Sequence, residues 1–253
     1  MLELKNISSG YGKLKVIDDI SLAVDKGGLT SVLGINGCGK STLLKASVGI
    51  LPLFCGKIII DGQDSSLMTR NDVAKRVSYL AQGRAIPDMT VEQMVLHGRF
   101  PHLSYPRRYT QNDKSIAQKA METVKISDLS DKPLHTLSGG MRQTAYIAMA
   151  LAQDTDYILL DEPTTYLDVS NRFKIMNLLK NLAQNGKGVV CVLHDIELAL
   201  KYSDSIILMQ NGKLIASGDA TQESLINKIA DAFNVSITMI NNKDKIHYCI
   251  AEK

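Results

Sequence analysis

Apolar and polar positions change period along this chain, and each change marks an element. Up to residue 33 they alternate, with turn signals at Ser9-Gly10-Tyr11-Gly12 and Lys26-Gly27-Gly28. Alternation at period two predicts an antiparallel β-layer, with strands over 2–7 and about 16–24. The continuous apolar run Leu29–Leu33 then predicts a buried strand, followed by a glycine-rich turn and a helix with Leu43, Leu44 and Val48 on one side. Further strands are expected at 57–60, closed by Asp61-Gly62, at 76–80, ending at Ala81-Gln82, and at 157–162. Later ones are expected at 188–193, ending at His194, and at Ser205–Gln210 and 213–218 around Asn211-Gly212.

Residues 84–136 break this rhythm. Thr90-Val91-Glu92-Gln93 reads as a capping box opening a short helix, a second helix is expected over 112–124, and Pro133 closes a third segment. The segment reads as a helical insertion in a single α/β domain whose core is 1–83 and 137–253. Its loop at Arg107-Arg108 is either a solvated connector or a docking surface. Helices are also expected over 141–153, from Asp168 to about 185 with Phe173, Met176, Leu179 and Leu182 inward, and over 195–202 and 222–233. A hairpin turned at Asn241-Asn242-Lys243-Asp244 ends the pattern.

Composition narrows the class. With 45% hydrophobic and 22% charged residues, the 253-residue chain reads as an ordinary globular protein. A net charge of +3, from 29 basic against 26 acidic residues, gives no electrostatic case for nucleic acid. No stretch approaches 18 consecutive apolar residues, and the N-terminal alternation is unlike a signal peptide. The four cysteines form no C-x-x-C pair; Cys55, Cys191 and Cys249 are expected as small buried hydrophobes. Cys38 is either a small tolerated residue or a thiol whose pKa its neighbours depress.

The chemistry concentrates at Gly34-Ile35-Asn36-Gly37-Cys38-Gly39-Lys40-Ser41, which fits the phosphate-binding pattern G-x-x-x-x-G-K-[ST] between a strand and a helix. Glycines let backbone N–H groups turn toward an anion, and the helix N-terminus adds its dipole. Lys40 offers a cation to the phosphates and Ser41 a hydroxyl to Mg²⁺. Asp161 and Glu162 end an apolar strand, as needed to bind Mg²⁺ and to polarise an attacking water. Ser138-Gly139-Gly140 opens a helix and forms a second anion site, although the first already cradles one nucleotide. Three single positions stay open. Tyr11 is a turn tyrosine or a purine-stacking ring. Gln82 and His194 are either solvated or structural groups, or ligand contacts at strand ends.

Taken together, Tyr11, the Gly34–Ser41 loop, Gln82, Leu137-Ser138-Gly139-Gly140-Met141-Arg142-Gln143, Asp161-Glu162, Asp168 and His194 resemble, in order and spacing, the ATP-binding cassette (ABC) ATPases. That resemblance implies a P-loop fold with a mixed sheet, an antiparallel β-layer and a helical subdomain. It implies ATP and Mg²⁺ as cofactors. Glu162, His194 and Lys40 become catalytic, and Ser41, Gln82 and Asp161 become Mg²⁺ contacts. Tyr11, the loop, Thr42 and Gln82 become ATP contacts. It also answers the second anion site, because two cassettes of this family face each other head to tail. Ser138, Gly139, Gly140 and Asp168 then reach the nucleotide of a second copy.

Narrower features, His97-Gly98-Arg99-Phe100-Pro101-His102-Leu103 and Arg107-Arg108-Tyr109, resemble the ATPases of iron-chelate importers of siderophores, haem or cobalamin. The implied partners are integral membrane permease subunits and, indirectly, a substrate-binding protein, with the chain peripheral on the cytoplasmic face of the cell membrane. A soluble ABC machine of DNA repair or translation is disfavoured, because the 97 residues between Lys40 and Ser138 leave no room for a coiled coil.

Overall fold

The computed structural model describes residues 1–83, 86–242 and 245–253. The N-terminal alternation forms β1 (Leu2–Tyr11) and β2 (Leu14–Val24), paired antiparallel. Both are longer than predicted, because Gly10 lies inside β1 rather than in a turn. A Cβ there would sit 1.9 Å from the Leu14 carbonyl oxygen, so this glycine permits close strand approach. β3 (Leu29–Leu33) is buried throughout, and α1 (Lys40–Ser47) starts where the glycine loop ends. β4 (Leu53–Ile60) begins well before residue 57, since Gly56 takes a positive φ of 82° and lets the strand bulge against Asn6. β5 (Gln63–Asp64) completes an antiparallel sheet of order β2-β1-β4-β5.

After α2 (Arg70–Ala74) and β6 (Val77–Leu80) comes the helical insertion, with α3 (Val91–His97) and α4 (Gln111–Thr123). The Thr90–Gln93 capping box is formed as predicted. α5 (Gly139–Ala152), β7 (Tyr157–Asp161), α6 (Val169–Gln184), β8 (Gly188–Val192), α7 (Ile196–Tyr202), β9 (Ser205–Gln210) and β10 (Lys213–Asp219) restore the α/β rhythm. The resulting sheet has the order β10-β9-β3-β8-β7-β6 and is parallel except for β10. β3, β7 and β8 are buried at every position, because apolar layers cover both faces. α8 (Glu223–Phe233) and the antiparallel pair β11 (Val235–Asn242) and β12 (Lys245–Glu252) follow. Of the expected turn there, Lys243 and Asp244 lie outside the described residues.

Two apolar clusters hold the layers. One packs the parallel sheet against α3, α4, α5 and α6. The other lies between that sheet and the antiparallel layer, around Leu2, Ile17, Val32, Leu44 and Leu159. A polar pin closes the second seam: the Tyr157 hydroxyl donates to Asp61 at 2.7 Å, and Lys26 reaches both Asp61 and Asp156. Burial alone would raise the Asp61 carboxyl. Hydrogen bonds from the Met1 ammonium, Tyr157 and Lys26 outweigh it and pull the pKa to about 2.

Some inward assignments change. Phe173 is half-exposed beneath the Lys201 ammonium, and Ile175 takes the core position on α6 instead. Cys55 and Cys249 are exposed: Cys55 lies in the solvated stretch 54–57 of β4, and Cys249 faces away from the buried Tyr248 on its strand. Only Cys191 of the three is buried, and that burial pushes its thiol up to about 12 against a hydrogen bond from Ser31.

Candidate functional site

Parallel order brings the ends of β3, β7 and β8 to one edge of the sheet, and the site is built there. The loop after β3 turns through Gly34, Gly37 and Gly39, with φ of 154°, 78° and 102°. Gly39 is the left-handed N-cap of α1, so that helix aims its first N–H groups back at the loop. Lys40 is nearly buried, and its ammonium donates to the carbonyls of Gly34 at 2.6 Å and Ile35 at 3.1 Å. Thr42 is buried behind it. Cys38 is buried too; desolvation raises its thiol despite the nearby Lys40 charge, so the activated-thiol alternative is not what the structure supports.

Asn36, Gly37, Gly39, Lys40, Ser41 and Thr42 line a cavity of about 610 Å³ together with Gln82, Glu162 and His194. Glu162 follows β7 with a positive φ of 54° and is held at both carboxylate oxygens. His194 Nε2 lies 2.5 Å from Oε1, Gln82 Nε2 donates to Oε2 at 2.5 Å, and the Thr165 hydroxyl donates to Oε2 at 2.9 Å. Asp161 accepts from the Ser41 hydroxyl at 3.0 Å and from the Tyr79 hydroxyl at 3.2 Å. Burial raises its carboxyl and the Glu162 charge adds to this, against the hydrogen bonds from Ser41 and Tyr79.

The other predicted residues stand apart from that cavity. Tyr11 ends β1 half-exposed, with Lys45 of α1 donating to its hydroxyl at 3.2 Å. Ser138 caps α5 through the Met141 N–H and is exposed, as is Gly139. Gly140 is buried against Asn171, whose amide nitrogen would lie 2.7 Å from an added Cβ. Asn171 in turn donates from backbone and side chain to Asp168, both at 2.8 Å, so the residues that open α5 and α6 are packed together. Sequence reasoning missed Thr165, Tyr79 and Asn171. Tyr79 alternates within β6 like any strand residue, whereas Thr165 stands in the same turn as Glu162 and its hydroxyl was a usable signal.

The donor chemistry fits the implied groups. Ser41, Asp161 and Gln82 form an all-oxygen set suited to Mg²⁺. The glycine turn, with one buried cation and a helix N-terminus, suits a polyphosphate. These features define a P-loop ATPase. The family model described as "ABC transporter" matches residues 17–165. The petrobactin import ATP-binding protein YclP of Bacillus subtilis (strain 168) is 39% identical, over 96% of this chain and 97% of its own. The ferric enterobactin transport ATP-binding protein FepC of Escherichia coli (strain K12) is 38% identical over 85% and 80%. A solved metal-chelate type ABC transporter in an inward-facing conformation superposes with a TM-score of 0.84 at 26% identity, covering 100% of this chain and 98% of that one. The chain belongs to the ABC transporter family, as an ATP-binding subunit.

Proposed function

We propose that the chain is the ATP-hydrolysing subunit of an importer for an iron chelate, a ferric siderophore in the first instance. The relatives that import petrobactin and ferric enterobactin, and the metal-chelate type of the solved neighbour, support that cargo class. The observation that carries the mechanism is the meeting of Glu162, His194 and the Gly34–Ser41 loop around one cavity.

In this reading Lys40 and the loop N–H groups hold the phosphates, Glu162 orients and deprotonates the attacking water, and His194 stabilises charge on the transferred phosphoryl group. Ser41, Asp161 and Gln82 hold Mg²⁺, which when bound neutralises phosphate charge. Tyr11 offers its ring to adenine. Ser138, Gly139, Gly140 and Asp168 serve the nucleotide of a second copy; none of the four lines their own chain's phosphate cavity, and Ser138, Gly139 and Asp168 are exposed. ABC transporter architecture implies permease and substrate-binding partners. Among the described residues no helix is long and apolar enough to cross a membrane. In this reading, which follows the family's transporter architecture, the chain sits on the cytoplasmic face, docked on permease subunits through the Gln82 region and the helical subdomain at 84–136.

Replacing the base tests this. Glu162→Gln is expected to bind ATP, accumulate as an ATP-bound pair and hydrolyse at least about a hundredfold more slowly. Near-normal turnover would remove Glu162 from the role.

A further inference from the structure

We infer that Thr165 is the positioning residue for Glu162, the group that keeps its carboxylate aimed while the other partners engage nucleotide. The inference rests on the reading of Glu162 as the base. Its grounds are the distances around one carboxylate and the origin of each donor.

Gln82 and His194 come from the ends of other strands, and both line the phosphate cavity. In the proposed mechanism His194 turns to the transferred phosphoryl group, and Gln82, whose Nε2 donates to Glu162, has its Oε1 committed to Mg²⁺, so the hold of each on Glu162 changes with the bound nucleotide. Thr165 differs. Its backbone N–H closes the turn Glu162-Pro163-Thr164-Thr165 onto the Glu162 carbonyl at 3.4 Å, and its hydroxyl donates to Glu162 Oε2 at 2.9 Å. Donor and acceptor therefore belong to one short turn and travel together. Pro163 restricts the backbone between them, and Thr164 is buried, which anchors the turn from below. The Glu162 side chain is only 10% exposed, so a lost donor is not simply replaced by bulk water. With Oε2 held by Thr165, Oε1 becomes free to meet water once His194 turns away. A carboxylate anchored at one oxygen and open at the other is the geometry a general base needs.

The experiment is steady-state hydrolysis by the full-length chain, with ATP affinity measured separately. Thr165→Val keeps the shape and removes the hydroxyl. It is expected to lower kcat by about tenfold or more, with KM for ATP within about threefold of wild type. Thr165→Ser restores the hydroxyl and is expected to return kcat to within about threefold. In a Glu162→Gln background, Thr165→Val is expected to cost nothing further, because the two act as a unit.

Several results would overturn the inference. These are a Thr165→Val kcat within about twofold of wild type, a Ser variant as slow as the Val variant, or a further tenfold loss in the Glu162→Gln background. If Thr165→Val loses ATP binding altogether, Thr165→Ala replaces it under the same criteria. Normal hydrolysis by Glu162→Gln would sink the base assignment and this inference with it. A slow Glu162→Gln beside a normal Thr165→Val would sink this inference alone.

Discussion

At the scale of single residues, the glycine loop is read correctly from its letters and incompletely from its physics. The pattern explains glycines as positions where backbone N–H groups must face an anion. Gly37 fits that account: a Cβ there would meet open space, and only its φ of 78° favours glycine. Gly34 has another reason to be glycine. A Cβ would lie 2.3 Å from the carbonyl oxygen of Met209 on β9 and 2.6 Å from the Cys38 sulfur. The backbone of the neighbouring strand cannot withdraw, so Gly34→Ala is expected to cost about 2–4 kcal/mol, and Gly37→Ala only about 1 kcal/mol. Thermal unfolding of the two variants checks this, with the Gly34 midpoint lower by roughly 5–10 °C. Equal, small shifts would mean that β9 yields. That second constraint is long-range, and no local pattern contains it. Cys38 teaches the same lesson, because the burial that raises its thiol comes from the tertiary arrangement.

At the scale of elements, the motif used as a subfamily fingerprint becomes a clasp. Gly98 packs so tightly on α5 that a Cβ would stand 2.1 Å from the Met149 carbonyl oxygen. Arg99 donates to the Ala152 carbonyl at 2.9 Å and to Asp113 at 3.0 Å, and His102 reaches the Gln153 carbonyl at 2.8 Å. Gly98, Arg99 and His102 thus tie the end of α3 to the end of α5, the last two satisfying carbonyls that the helix leaves unpaired. Asp113 also closes the capping box of α4 with Thr110. Burial would raise its carboxyl, but hydrogen bonds from Thr110 and Arg99 hold it below the usual range. Arg99 and Asp113 are 5% and 7% exposed, so Arg99→Ala leaves a buried carboxylate without its charge partner. The expected cost is about 3–5 kcal/mol. Hydrogen exchange should place the loosening in α3, α4 and the last turn of α5, with β3 and β8 protected as before. Uniform loosening would contradict a local clasp. Periods of two and 3.6 revealed most elements, and on α6 Met176, Leu179 and Leu182 are buried as expected, whereas bulges at glycines and the exposure of Phe173 depended on partners distant in sequence.

At the scale of the whole molecule, the central question is why one chain carries two anion sites. The cavity that gathers Lys40, Gln82, Glu162 and His194 does not include Ser138 or Gly140, although all belong to the motif set of one family. Two such chains placed head to tail would give each cavity the α5 N-terminus of the other, a pairing whose two contacts are equivalent by a two-fold axis. This arrangement makes a prediction that no self-sufficient monomer shares. Lys40→Ala disables the phosphate side of a site, and Ser138→Arg disables the side supplied across the axis. Each variant alone is expected to be inactive, since every composite site in its own pair carries the defect. In a mixed pair both defects fall in the same composite site, and the other site is wholly wild type. An equal mixture should therefore recover up to about a quarter of wild-type hydrolysis, as half the pairs are mixed and each holds one of two sites. Recovery should grow with total protein concentration, because it follows the population of pairs. A mixture no more active than either variant, under conditions where pairs form, would mean that Ser138 serves its own chain or that both sites must fire together. Wild-type dependence on concentration separates these outcomes: first-order behaviour from dilute to concentrated protein points to the former, and a steeper rise to the latter.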